Sequence, residues 1–341
     1  MSSFLSTLVG SKEEEEKEEV EVEYNNICQK HKLLLQTLTK GNGWRVQHLY
    51  NYKGFWLNPS TVKNNLLLHT YFKSLPTDIV LASFMKSGTT WLKALMFSTL
   101  NRHRYNFSDH HLHNHGPQST FPFLDCESYP ITDFTNISIS PRLFATHYSY
   151  TLLPACIKSG KIVYVCRDPK DVLISKWHFM SKLRSKDLPP LSLDVAFELF
   201  CQGESEYGPF WEHILSYWRA SLESPEKILF LKYEEMKKQP EVVVRKLAAF
   251  MGKPFAEEEE EKGVVGDIVK LCSFENLSNL EVNNKGVEKF GSLVEVEKRD
   301  FFRKGEIGDW KNYLNEEMKE RIDRITDDKF KGSGLSLNAT V

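Results

Sequence analysis

Cysteine is scarce. Six thiols, at 28, 126, 156, 166, 201 and 272, are spread through 341 residues with no Cys-x-x-Cys pair and no metal-ligand spacing. That excludes a disulfide framework and a cysteine zinc site, and reduced, buried thiols point to a cytoplasmic protein. No apolar run approaches the ~20 residues that cross a bilayer. Met1 to Gly10 lacks the basic segment and apolar core of a secretory leader. A surplus of either charge is missing too. The formal net charge of −2 gives no pull toward nucleic acid or an anionic membrane. Internal repeats and Pro/Gly-rich linkers are also absent. What remains, 41% hydrophobic and 26% charged residues, is the composition of a globular chain long enough for one large core.

Residues 11–23 hold eight glutamates and two lysines. Such a run repels itself and buries nothing, so residues 1–23 are expected to be an acidic disordered tail, with the folded domain over 24–341. Helical spacing starts at Tyr24, with Ile27, Leu34, Leu35 and Leu38, and stops at Gly41 and Gly43. Trp44 to Trp56 reads as aromatic and irregular, and a helix follows over 61–72. Residues 102–140 carry few periodic signals. The cluster His110, His111, His113 and His115 there has no carboxylate or cysteine set beside it, so it reads as a solvated or substrate-covering loop rather than a zinc site. Strands are expected over 142–146, 161–166 and 228–231. Helices are expected over 170–180, 196–201, 210–222, 241–251, 257–272 and 315–326. Strands separated by helices predict an α/β fold: one domain with a central parallel sheet flanked by helices on both faces.

The most informative stretch is 79–97. Ile79 to Ala82 has the length and composition of a buried parallel strand. Leu92, Leu95, Met96 and Leu100 put one apolar face on a helix. Between them lies Lys86-Ser87-Gly88-Thr89-Thr90. Gly88 allows a tight turn, and the amides of Gly88, Thr89 and Thr90 fall at a helix N-terminus, where they attract an anion. Lys86 adds a full positive charge. The lysine precedes the glycine, so this is not a Walker A loop. An ordinary strand–turn–helix with an N-capping hydroxyl is the alternative.

In a parallel sheet, ligands bind beyond the carboxyl ends of the strands. Lys86, His147, Arg167 and Tyr233 each end or follow a predicted strand. Each alone has a structural explanation, but four polar groups on one edge beside an anion loop are harder to explain that way.

Taken together, Lys86-Ser-Gly-Thr-Thr-Trp91, Arg142-Leu-Phe-Ala-Thr-His147, Tyr164-Val-Cys-Arg167-(x)7-Ser175, Gly208-Pro-Phe-Trp211, Leu231-Lys-Tyr233, Leu271-Cys-Ser-Phe274 and Phe302-Arg303-Lys304-Gly305-(x)2-Gly-Asp-Trp310 resemble the cytosolic sulfotransferase family, and its plant branch in particular. The likeness covers roughly Gly43 to Leu335. It implies transfer of the sulfonyl group of 3′-phosphoadenylyl sulfate (PAPS) to a hydroxyl of a small-molecule acceptor such as a flavonoid, steroid, jasmonate or desulfoglucosinolate. By the same resemblance, His147 is the general base. Lys86, Ser87, Gly88, Thr89 and Thr90 grip the phosphosulfate. Arg167, Ser175, Arg303, Lys304 and Gly305 hold the 3′-phosphate. Trp91 and Phe274 sandwich the adenine, and Tyr233 bonds to it. Such a site stabilises the leaving charge with cations and amides, and no metal is expected.

The sequence departs from the family at several points. Ala145 stands where many animal members carry lysine, Met85 where proline is frequent, and Cys272 where threonine is common. The histidine-rich loop lacks the Asn-Pro-His stretch common in plant relatives, which leaves the acceptor open. Tyr50, Tyr52, Phe55, Trp56 and Phe144 suit a flat acceptor or core packing equally well. Animal relatives often dimerise through Lys-x-x-x-Thr-Val-x-x-x-Glu. Here Lys311 and Glu320 remain but Asn315-Glu316 replaces Thr-Val, so a monomer is expected. Two other readings stand beside this one. A P-loop kinase would need the Walker A loop and an Asp where Arg167 stands. A catalytically silent nucleotide-binding protein would have no need of His147 and Lys86 together.

Overall fold

The computed structural model of the chain describes the backbone of residues 2–126, 140–290 and 294–337, and side chains from Val20 onward. Part of the expected loop, 127–139, therefore lies outside the described residues.

A long helix, α1 (Ser2–Thr37), leads into a three-stranded antiparallel sheet of β1 (Lys40–Asn42), β2 (His48–Tyr52) and β3 (Phe55–Leu57). The helix starts before Tyr24 and carries the acidic run, where composition alone predicts disorder. Glutamate and lysine are strong helix formers, which works against the self-repulsion. The small sheet corrects the irregular reading of 44–56. Tyr52 pairs with Phe55 across a two-residue turn, Lys53-Gly54, in which both residues have positive φ (51° and 87°). That is the backbone of a tight hairpin. Next comes α2 (Pro59–Tyr71), capped by Asn58, whose Oδ1 accepts from the Thr61 amide at 3.0 Å.

The main sheet begins at β4 (Ile79–Ser83), followed by α3 (Thr89–Leu100) and the short α4 (His111–His115). Then come β5 (Leu143–Thr146), α5 (Ala155–Lys158), β6 (Lys161–Cys166) and α6 (Pro169–Leu183). Two more helices, α7 (Leu193–Cys201) and α8 (Phe210–Glu223), precede β7 (Ile228–Lys232), which runs directly into α9 (Tyr233–Lys238) and α10 (Pro240–Phe250). All pairings are parallel, in the order β5-β4-β6-β7, with Ile79 opposite both Leu143 and Lys161.

Side chains alternate across this sheet as strand geometry demands. Val80, Ala82, Phe144, Ile162 and Tyr164 enter one core with residues of α2, α6, α8 and the final helix. Ile79, Leu81, Ala145, Val163 and Val165 enter the other with α3 and α10. Helices on both faces are what the alternation of elements predicts.

The helix expected over 257–272 is two, α11 (Glu257–Glu261) and α12 (Val264–Leu271). After α13 (Phe274–Asn279) and α14 (Glu281–Asn284), the polar segment 278–300 forms an antiparallel pair, β8 (Val287–Phe290) and β9 (Val294–Glu297). The chain closes with α15 (Glu316–Phe330).

Candidate functional site

The loop between β4 and α3 crosses the carboxyl edge of the sheet. Lys86 and Gly88 both take positive φ, 69° and 108°. The turn thereby aims its amides outward at the start of α3. A Cβ on Gly88 would lie 2.7 Å from Tyr233 Cδ2, so only glycine lets the loop lie against that ring. Ser87 is fully buried and its hydroxyl has no partner. Ser87 does not line the cavity, and its amide donates to the Phe84 carbonyl at 3.3 Å, closing the turn.

That cavity, of about 400 Å³, gathers Lys86, Gly88, Thr89, Thr90, Trp91, His147, Arg167, Ser175, Tyr233, Phe274, Arg303, Lys304 and Gly305. Of the catalytic and donor-binding residues expected from sequence, Ser87 alone is missing from the wall.

Four cations, Lys86, Arg167, Arg303 and Lys304, meet at one end. Burial, reinforced by the charges of Arg303 and Arg167, lowers Lys86 to about 7. Its ammonium sits over the Phe179 ring at 4.0 Å. Arg167 leaves the end of β6, donates to the Glu306 carbonyl at 2.5 Å and pairs with Asp171 at 3.3 Å. Its guanidinium lies 4.4 Å from the Tyr233 ring centre. Arg303 and Lys304 both pair with Asp309, Lys304 at 2.6 Å. Burial acts to raise Asp309, but hydrogen bonds from Lys304, Arg303 and Asn312 hold it well below the usual carboxylate range. Among the described residues the Nε groups of Arg167 and Arg303 are nevertheless buried without partners, which leaves two cationic donors for an anion.

The strap that carries these residues is tied down by Asp171, fully buried on α6, which accepts from the amides of Gly308 (2.8 Å) and Trp310 (3.2 Å). Tyr233 OH donates to the Gly305 carbonyl at 3.1 Å. A Cβ on Gly305 would lie 2.4 Å from Phe274, so glycine is needed for the strap to press on that ring. Trp91 packs edge-on to Tyr233, with centroids 5.6 Å apart.

At the other end His147 follows β5. Its Nδ1 lies 2.8 Å from the Ser83 carbonyl, an obligate acceptor, so Nδ1 carries the proton and Nε2 of the neutral ring is left bare. Burial lowers His147 to about 4. The bond to Ser83 opposes that, while the charges of Lys176, Lys93 and Lys86 reinforce it. His147 lines the cavity, and with its value lowered in this way the ring is neutral at physiological pH.

Sequence reading missed Asp125. Its carboxylate accepts from the His147 amide at 2.6 Å and from Thr146 Oγ1 at 2.5 Å. Burial raises it to about 7, against bonds from Thr146, the His147 amide and Tyr207. The signal was the run Phe121-Pro-Phe-Leu124 ending in a carboxylate, a strand-like segment that makes two hydrogen bonds to Ala145 of β5. Tyr207, edge-on to His147 at 5.4 Å, was missed as well, as was the buried pair Lys176–Glu206 at 3.2 Å.

The proposed acceptor aromatics Tyr50, Tyr52, Phe55, Trp56 and Phe144 do not line the cavity. Tyr52, Phe55 and Phe144 belong to the core. Phe123, Phe179, Tyr207, Phe290 and Phe301 line it instead. The histidine cluster forms α4 and lies off the cavity wall. His111 stacks on His115 at 4.2 Å, and His110 caps the helix. Among the described residues no group of three or more His, Cys, Asp or Glu is placed to hold a metal ion.

An anion loop, converging cations and a bare imidazole nitrogen on one edge of a parallel sheet define a group-transfer site for a polyanionic donor. Comparison with known proteins makes this specific. The profile described as Sulfotransferase domain matches residues 76–334, and the chain belongs to the sulfotransferase family. It is 46% identical to cytosolic sulfotransferase 15 of Arabidopsis thaliana, covering 89% of this chain and 86% of that one. Cytosolic sulfotransferase 12 of the same plant is 45% identical, covering 92% and 96%. Among solved structures, a candidate steroid sulphotransferase of Arabidopsis thaliana matches with a TM-score of 0.70 at 40% identity, covering 89% of this chain and 94% of that one. Mouse sulfotransferase SULT7A1, solved with PAP, matches with a TM-score of 0.64 at 25% identity, covering 84% and 96%. Among the described residues no helix is long and apolar enough to cross a membrane.

Proposed function

We propose that this sulfotransferase moves the sulfonyl group of PAPS to a hydroxyl of a small-molecule acceptor, as a cytoplasmic protein. The observation that carries the reading is the bare His147 Nε2 on the same cavity wall as Lys86 and two buried, unpartnered arginine Nε groups. The residues fit the donor's chemistry. Orphan guanidinium donors call for phosphate oxygens, and glycine at 88 and 305 lets the loop and the strap close on Tyr233 and Phe274 where a Cβ would collide. PAPS would supply a sulfonyl group bound to a phosphate leaving oxygen.

The chain's residues do the rest. His147 Nε2 takes the acceptor's hydroxyl proton as the acceptor oxygen bonds to sulfur. Lys86 and the amides of the loop, with the hydroxyls of Thr89 and Thr90, stabilise the charge left on the phosphate oxygen as the sulfur–oxygen bond breaks. Arg167, Ser175, Arg303, Lys304 and the Gly305 amide hold the 3′-phosphate. Trp91 and Phe274 enclose the adenine, and Tyr233 orients it. The acceptor lies against Phe123, Tyr207 and Phe290, a largely apolar wall that suits a hydrophobic hydroxylated molecule.

The test is incubation with PAPS and a plant metabolite extract, followed by mass spectrometry. Sulfonated products that appear only with active protein and PAPS are expected. Nucleotide binding with no product from any hydroxylated acceptor would leave a silent PAP-binding protein instead.

A further inference from the structure

Lys93, on the second turn of α3, is fully buried. Among the described residues no carboxylate lies within ion-pair distance of it. Burial lowers it to about 7, against the charge of Glu288, which acts on it without pairing. Holding a lysine there is costly, and an apolar side chain of similar length would fill the same space. What it touches accounts for its presence. Its Nζ donates to the carbonyls of Gln118 at 2.8 Å and Phe121 at 2.7 Å. It also lies over the rings of Phe121 (4.9 Å) and Phe123 (4.7 Å). Gln118 is held to α3 a second time, its Nε2 donating to Thr90 Oγ1 at 2.8 Å.

Beyond Phe121 the chain reaches the histidine in a few residues. The Ala145 amide donates to the Pro122 carbonyl at 2.7 Å, and the Leu124 amide to the Ala145 carbonyl at 2.8 Å. The Phe123 ring rests on His147 with centroids 5.0 Å apart. Asp125 then accepts from the His147 amide.

We propose that Lys93 is a positioning residue for the transfer reaction. Its ammonium ties segment 118–125 to the helix that opens at the anion loop, and so fixes Phe123, Asp125 and His147 relative to that loop. The inference rests on the function proposed above. In that reaction the distance between donor loop and base decides the rate, because displacements of about 1 Å cost as much as ~10²-fold. His147 is already bonded to Ser83, which ends the strand leading into the loop, and Lys93 adds a second link between the supports of loop and base.

The experiment uses the full chain with Lys93→Met and Lys93→Gln, the latter returning N–H donors without the charge. Hydrogen exchange is read at the Leu124 and Ala145 amides without nucleotide. PAP affinity, melting temperature and kcat on the acceptor that wild type sulfonates fastest are read alongside. Lys93→Met is expected to speed exchange at both amides and lower kcat at least ~10-fold, with PAP affinity within about twofold of wild type. Lys93→Gln is expected to recover part of both. Unchanged exchange and kcat in Lys93→Met would overturn the tether. So would a loss of kcat that tracks lost PAP affinity and melting temperature in both variants, or a Gln variant no better than Met. Wild-type protein that binds no PAP would instead sink the functional reading, and the exchange data would still judge the tether.

Discussion

At the scale of single residues, His147 is fixed before any ligand arrives. Its Nδ1–H is held by Ser83 and its amide by Asp125, and its carbonyl accepts from His213 Nε2 at 2.9 Å. The strand-end position of His147 was legible in the sequence. Its tautomer was not, because it depends on a backbone carbonyl from a different strand. His147→Ala is expected to lower kcat by ~10²–10⁴-fold while PAP affinity stays near wild type, since the ring faces the acceptor end. Retained turnover within a few-fold would remove it from the mechanism. Lys86 gives a prediction with a definite sign. Held near 7 in the free protein, it is mostly neutral at pH 8. A bound polyanion favours the ammonium and raises the value back toward the ordinary range. PAP binding at pH 8 should therefore take up close to one proton. Calorimetry in HEPES and in Tris would reveal this as an enthalpy that depends on the buffer's ionisation heat. The dependence should vanish in Lys86→Met.

Elements were easier to read where one periodicity ran uninterrupted. Ile79–Ser83 and Lys161–Cys166 are fully or nearly buried strands whose apolar runs have no other use. The hairpin at Lys53-Gly54 was masked by aromatic residues that alternate over only a few positions. The strands β8 and β9 were hidden by charge: Glu288 is half-buried, and the exposed Lys289 and Glu295 pair across them at 3.0 Å. Least legible was the dependence of one element on another. Asp171 opens α6, yet its carboxylate is spent on Gly308 and Trp310, far along the chain, and on Arg167. Removing it leaves two amides without their acceptor and the buried Arg167 guanidinium without its carboxylate. Asp171→Ala is expected to destabilise the fold by roughly 3 kcal/mol, the scale seen when one partner of a buried ion pair is lost. It should also weaken PAP, because the strap bearing Arg303 to Gly305 is released. Urea denaturation and PAP titration check both. A variant with wild-type stability would mean that the strap is held by its other contacts.

At the scale of the whole molecule, the cavity draws on residues from Arg45 to Gly305 of a single chain. Self-association must be argued from the surface. In the segment that resembles the dimer motif of animal relatives, Asn315 caps α15 through its Oδ1, which accepts from the Met318 amide at 2.9 Å. Glu316 is exposed and pairs with Lys319 within its own helix. Both residues are therefore committed locally, and the amide and carboxylate they present replace the apolar contact that such an interface uses at its centre. Joining two copies there would strip water from a charged pair worth little at the surface, with no apolar area to compensate. The chain is expected to be a monomer at micromolar concentration, and light scattering on the purified protein reads the mass directly. Twice the mass of one chain, persisting on dilution, would show that a different face carries an interface. Asn315→Thr with Glu316→Val separates the cases: if the local argument holds, this double variant should associate where the natural chain does not.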